Sequence, residues 1–182
     1  MKRNTTIIMG AVVIVLAVAG ISAYLLTSQP KVKEFKLELL DYGYNGSSGG
    51  PTLRVKAGDV VKVTLINKSE RVHEFRLSSN MDKFLSDVDK VVANLQAQGL
   101  KTADQVDSAQ AFKDARRLTG MKLVMVNNAL DWDTDVDPGK TVTIQFSIDT
   151  PGTYWYLCGE LDGTFPQTHT HKSMFGQIIV ER

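Results

Sequence analysis

A single cysteine, Cys158, stands among 182 residues. One thiol forms neither an internal disulfide nor a Cys-x-x-Cys zinc site, and so late in the chain it is no N-terminal lipidation site. Excess charge is missing too: 21 Lys and Arg face 20 Asp and Glu, for a net charge of +1. That balance excludes nucleic-acid binding through bulk charge. With only 14 Gly and 5 Pro, the chain lacks the composition of a disordered or collagen-like segment. There is no internal repeat, no low-complexity tract, and no acid, base and nucleophile grouping for turning over a small-molecule substrate. What remains is a chain long enough for one globular domain with additions.

The first addition is apolar. Ile7 to Leu26 is a run of twenty uncharged residues, with Lys2 and Arg3 ahead of it. As a helix it spans about 30 Å, the hydrocarbon thickness of a bilayer. Basic residues before the span hold the N-terminus in the cytoplasm. Residues 1–30 are therefore expected to form a single-pass membrane anchor and linker, with residues 31–182 on the extracytoplasmic side of the cell membrane. The competing reading is a cleaved signal with Ala17-Val18-Ala19 as its small-x-small site; the apolar run continuing past that point favours the anchor. Lys2 and Arg3 are the only charges before Lys31, so the exported part carries 19 bases against 20 acids, net −1.

Residues 31–182 alternate like strands on either side of a helical stretch. Phe35, Leu37 and Leu39 share one face of 32–40, and Leu53 and Val55 one face of the next short run. Val60 to Ile66 is β-branched and strand-like, and 72–77 is another short strand. Over about 79–119 the period becomes 3.6. Ser79-x-x-Asp82 and Thr102-x-x-Gln105 are capping-box patterns opening two amphipathic helices, the first bearing Phe84, Val88, Val92 and Leu95. The plainest role for this two-helix insertion is to cover a sheet edge. Strands resume at 122–127, 141–148, 153–158 and 176–181, with turns at Asp137-Pro138-Gly139-Lys140 and Asp149-Thr150-Pro151-Gly152. The fold class is all-β, a Greek-key sandwich or barrel.

The chemistry gathers near the C-terminus. Cys158 ends a strand, His169 and His171 lie in the loop that follows, and Met174 precedes the closing strand; the remaining histidine, His73, begins a strand far upstream. A thiolate, two imidazoles and a thioether form a soft, low-symmetry donor set suited to copper in both oxidation states. Zinc is less apt, because its sites favour closed tetrahedral sulfur and nitrogen sets. The candidate ligands are His73, Cys158, His171 and Met174, with His169 as the alternative to His171. Twelve residues separate Cys158 from His171 and ten separate it from His169. His171 is preferred because His-x-x-Met keeps both ligands beside the closing strand.

These pieces resemble the cupredoxins, the type 1 blue copper proteins. Asn67 followed by His73-Glu74-Phe75 is similar to the strand bearing the family's first histidine. Asp149-Thr150-Pro151-Gly152-Thr153-Tyr154-Trp155-Tyr156-Leu157-Cys158 is similar to the approach to its cysteine, and Met174-Phe175-Gly176 before Ile178-Ile179-Val180 to its axial ligand and closing strand. The likeness covers 32–182 apart from the insertion and is nearest to sulfocyanin- and rusticyanin-like members. The ending His171-Lys172-Ser173-Met174 also resembles the copper loop of haem–copper oxidase subunit II. That loop needs a second cysteine four positions after the first, where this chain has Asp162, so a dinuclear centre is excluded. The resemblance implies one mononuclear copper, no enzymatic activity, and one-electron transfer with redox partners such as a cytochrome or terminal oxidase, the electrons passing by an exposed histidine edge. The alternatives are a copper-delivery module and an oxidase-associated subunit without a dinuclear site. The departure from the family is loop length, since cupredoxins place two to four residues between cysteine and histidine.

Overall fold

Alternating apolar residues become sheet wherever one face has a core to cover. The computed structural model describes residues 30–118, 120–121, 123–125 and 130–182, and the fold is the unit Val32–Arg182. The apolar run of residues 7–26 lies outside the described residues, and no described helix is long and apolar enough to cross a membrane.

Strands β1 (Val32–Leu40), β2 (Gly43–Tyr44), β3 (Leu53–Lys56), β4 (Val60–Asn67) and β5 (His73–Ser78) precede the helices. Helices α1 (Met81–Ala97), α2 (Ala103–Ser108) and α3 (Gln110–Arg117) follow. The chain then forms β6 (Gly120–Met121), β7 (Leu123–Met125), β8 (Leu130–Asp131), β9 (Thr134–Val136), β10 (Thr141–Ser147), β11 (Gly152–Leu157) and β12 (Phe175–Glu181), with a 3-10 turn at His169–Lys172. One sheet runs β2-β1-β4-β10-β7-β8 and the other β3-β12-β11-β5-β6, with β9 paired to β5. β1 lies parallel to β4 and β3 parallel to β12, while β10 and β11 make antiparallel pairs.

β4 shows the logic of the core. Val61, Val63 and Leu65 point inward and alternate with half-buried neighbours. They meet Leu37 and Leu39 from β1, Ile144 and Phe146 from β10, and Phe75, Tyr156, Ile178 and Val180 from the facing sheet. The turn after β10's predecessor, Asp137 to Lys140, needs a left-handed residue, which Gly139 supplies at φ 72° without the Cβ penalty.

The helical region differs from its sequence reading in two ways. Asn80, not Ser79, caps α1, its side chain accepting from the Lys83 amide at 2.9 Å. Thr102 and Gln105 do form the expected capping box. The second expected helix is two, because Ala109 is extended (φ −71°, ψ 130°) and the Ser108 hydroxyl turns back to the Asp104 carbonyl at 2.7 Å, a local bond that competes with the helical ladder. The apolar stripe Phe84, Val88, Val92, Leu95, Val106 and Phe112 packs against Leu157, Leu161, Phe165 and Phe175. The insertion thus lies on the end of β11, the start of β12 and the loop between them. β5 is buried along its whole length.

Candidate metal centre

Three elements converge at one end of the sandwich. β5 opens with His73, β11 delivers Cys158 just past its last residue, and the loop from Gly159 returns His169 at the start of the 3-10 turn. All three side chains are completely buried. The Cys158 sulfur lies 3.3 Å from His169 Nδ1 and 3.8 Å from His73 Nδ1, and the three donor atoms sit within 4.8 Å of one another. Backbone bonds lock the return: the Cys158 amide donates to the Met174 carbonyl at 3.2 Å, the Met174 amide to the His169 carbonyl at 3.1 Å, and the Thr170 amide to the Cys158 carbonyl at 3.0 Å. Met174 is itself wholly buried and belongs to the same core as Cys158 and Phe75.

Hydrogen bonding fixes which nitrogen of each ring faces the sulfur. His169 Nε2 lies 2.7 Å from the Asp162 carbonyl, which can only accept, so Nε2 carries the proton and Nδ1 keeps a free lone pair. His73 Nε2 lies 2.8 Å from the Ser69 hydroxyl. That hydroxyl also lies 3.0 Å from Asn67 Oδ1 and 3.2 Å from the Arg71 carbonyl. With its one proton given to either of those acceptors, the oxygen is free to accept from a His73 Nε2–H. Asn67 holds the turn, donating to the Arg71 and Val136 carbonyls at 2.7 Å each.

Burial sets the protonation states. It lowers the His73 pKa to about 4, with His169 and Arg71 adding repulsion, and it likewise lowers that of His169. Both rings are neutral at pH 7. Burial pushes the Cys158 thiol well up, with the Glu160 charge adding to it, although the Glu74 amide donates to the sulfur at 3.3 Å. A buried thiol of this kind ionises when a bound cation offsets the charge. Two neutral imidazole lone pairs aimed at such a thiol form a donor set for a soft or borderline metal ion.

The preference for His171 over His169 is reversed by the geometry: His169 stands in the cluster and His171 does not. His171 Nδ1 accepts from the Thr168 amide at 3.0 Å, and its Nε2 lies 3.0 Å from Asp89 of α1. Thr168-x-x-His171 has capping-box spacing, a signal present in the sequence that assigns His171 to holding the turn. The expected exposed histidine edge is also absent, both clustered rings being sealed from solvent. Phe75 shares the core with Cys158, while Phe165 and Phe175 pack under the helices.

A buried charge network flanks the cluster and was not foreseen. Glu74, next to His73, accepts from the Gly159 amide at 2.9 Å and from Arg76 Nη2 at 2.6 Å. Arg116 of α3 reaches Glu160 at 3.5 Å, Glu74 at 3.6 Å and the Gly159 carbonyl at 3.4 Å. Arg76 also contacts Asp133. Burial opposes ionisation of Glu74, yet Arg116 and Arg76 hold its carboxyl well below the usual carboxylate range. No alternation or spacing marks these residues, because their partners come from three separate elements.

No protein-family model matches the sequence, and no curated protein matches it. Solved structures do. An auracyanin from Roseiflexus castenholzii superposes with a TM-score of 0.51 at 20% identity, covering 82% of this chain and 97% of its own. Auracyanin A of Chloroflexus aurantiacus, a blue copper protein, gives 0.51 at 14% identity, covering 82% and 99%. The chain has a cupredoxin-like fold. The same fold matches part of a multi-copper oxidase from Pediococcus acidilactici, with a TM-score of 0.51 at 12% identity, over 84% of this chain and 27% of the oxidase.

Proposed function

We propose that the chain is a membrane-anchored, extracytoplasmic blue copper protein that carries single electrons between redox proteins, a cytochrome or a terminal oxidase among them. The observation that carries this is the pair of imidazole Nδ1 atoms facing one buried thiol at 3.3 and 3.8 Å. His73, Cys158 and His169 would hold the ion, with the buried Met174 thioether as a fourth, weaker donor. Copper bound there supplies a one-electron couple. The chain's own part is to keep the donor set unchanged between charge states. Ser69 and the Asp162 carbonyl fix the two rings, the Glu74 amide supports the sulfur, and the apolar core excludes water. The membrane anchor is supported by the uncharged run from Ile7 to Leu26.

Loading with Cu(II) should give an intense blue colour, lost in Cys158→Ser and His169→Ala and kept in His171→Ala. A colourless copper complex in the wild type would instead favour metal delivery. Loss of the colour in His171→Ala with retention in His169→Ala would contradict the ligand assignment.

A further inference from the structure

With both imidazoles sealed from solvent, electrons need another way out. A cleft of about 400 Å³ is lined by Asp41, Lys68, Ser69, Glu70, Arg71 and Asp162. Two of its walls are the hydrogen-bond partners of the rings themselves: the Ser69 hydroxyl meets His73 Nε2 and the Asp162 carbonyl meets His169 Nε2. Half-buried Tyr42 stands beside it, packing edge-on against His169 at 5.6 Å and lying under Arg71 at 5.8 Å.

We propose that this polar cleft is the electron port and the docking place of the redox partner, since each ligand imidazole is one hydrogen bond from its wall. This rests on the copper-carrier reading above. One electron crosses from a reduced partner to the oxidised centre; no bond forms or breaks and no proton moves. Arg71 lies 3.8 Å from Asp162, which leaves Asp41 and Glu70 against Lys68, so the cleft suits a partner protein whose contact point is basic.

The test uses the full chain in detergent, loaded with copper and mixed with hexaammineruthenium(II), a cationic one-electron reductant. At low ionic strength, Lys68→Glu should raise the bimolecular rate and Glu70→Lys should lower it, each by about fivefold. Lys56→Glu, beside the start of β4, should leave it unchanged. Eight-residue β4 puts about 26 Å between the two ends of the sandwich, well beyond a Debye length of about 10 Å. In the metal-free protein, redox-inert paramagnetic hexaamminechromium(III) should broaden the amide resonances of Asp41, Tyr42 and 68–71 before those of β3. Equal rate changes for Lys56→Glu and Lys68→Glu, unchanged rates in both cleft variants, or broadening centred elsewhere would overturn the port while leaving the blue centre intact. Failure of the wild type to turn blue would overturn the carrier reading and the port with it.

Discussion

Replacing Arg116 with methionine tests whether the buried charge network holds the ligand loop. The guanidinium of α3 serves Glu74, Glu160 and the Gly159 carbonyl at 3.4 to 3.6 Å, and its plane lies 4.9 Å from the Phe112 ring. Methionine keeps the apolar stem and removes the charge. Glu74, fully buried, would then rely on Arg76 alone, while Glu160 would face it without a cation between them. Removing one partner of a buried pair costs about 3–5 kcal/mol, because the charge left behind is uncompensated. At roughly 2–4 °C per kcal/mol for a domain of this size, the unfolding midpoint should fall by about 6–20 °C. Differential scanning calorimetry or circular dichroism of the metal-free protein reads this directly. Adding Glu160→Gln should recover part of the loss, with a coupling of about 0.5–3 kcal/mol. A midpoint within about 2 °C of wild type, worth less than about 1 kcal/mol, would refute the reasoning and leave Arg116 as surface decoration.

The same network predicts a pH dependence. Burial, then repulsion from Glu74, raises Glu160 to about 8 and Asp133 to about 7; these groups bind protons more tightly folded than unfolded, so their stability is present at low pH and lost as pH rises toward 8. The buried histidines act oppositely, but their effect fades above about pH 6.5 as the unfolded imidazoles lose their protons. The metal-free protein should therefore lose stability in urea titrations between pH 6.5 and 8.5, and Glu160→Gln should flatten that limb; a rise over the interval would contradict the assignment. Ser69→Ala removes the acceptor of the His73 ring proton and should weaken metal binding about 10–100-fold, measured by chelator competition, with the colour retained. Gly176→Ala would put a Cβ into the Tyr156 ring, which stacks on Phe75 at 5.6 Å and bonds the Pro51 carbonyl at 2.6 Å. Overpacking there should cost about 1–3 kcal/mol, read as a lower denaturant midpoint.

The strands were legible because burial on one face writes itself as alternation: Leu37 and Leu39, or Leu53 and Val55, share a face in the sequence and lie inward in the fold. β5 was harder, since both its faces are covered and its charged members Glu74 and Arg76 look like solvent positions. Cys158 and His73 stood out by rarity, and they do meet. The choice between His169 and His171 went the other way because proximity to Met174 in sequence says nothing about which ring a 3-10 turn aims inward. That decision rests on Thr168, which engages the His171 ring. Ser69, Glu74 and Arg116 act across 4, 84 or 43 positions of chain, separations that leave no periodic trace.

The ten-residue stretch between sulfur and imidazole would be too long to aim a side chain if it hung free. Leu161 and Phe165 are gripped by the helices, Arg116 takes hold of Gly159 and Glu160, and Asp89 reaches His171. Loop and insertion are thus halves of a single clamp. Anyone trimming the domain to its strands would have to shorten that segment in the same stroke, or find that the donor atoms no longer keep station.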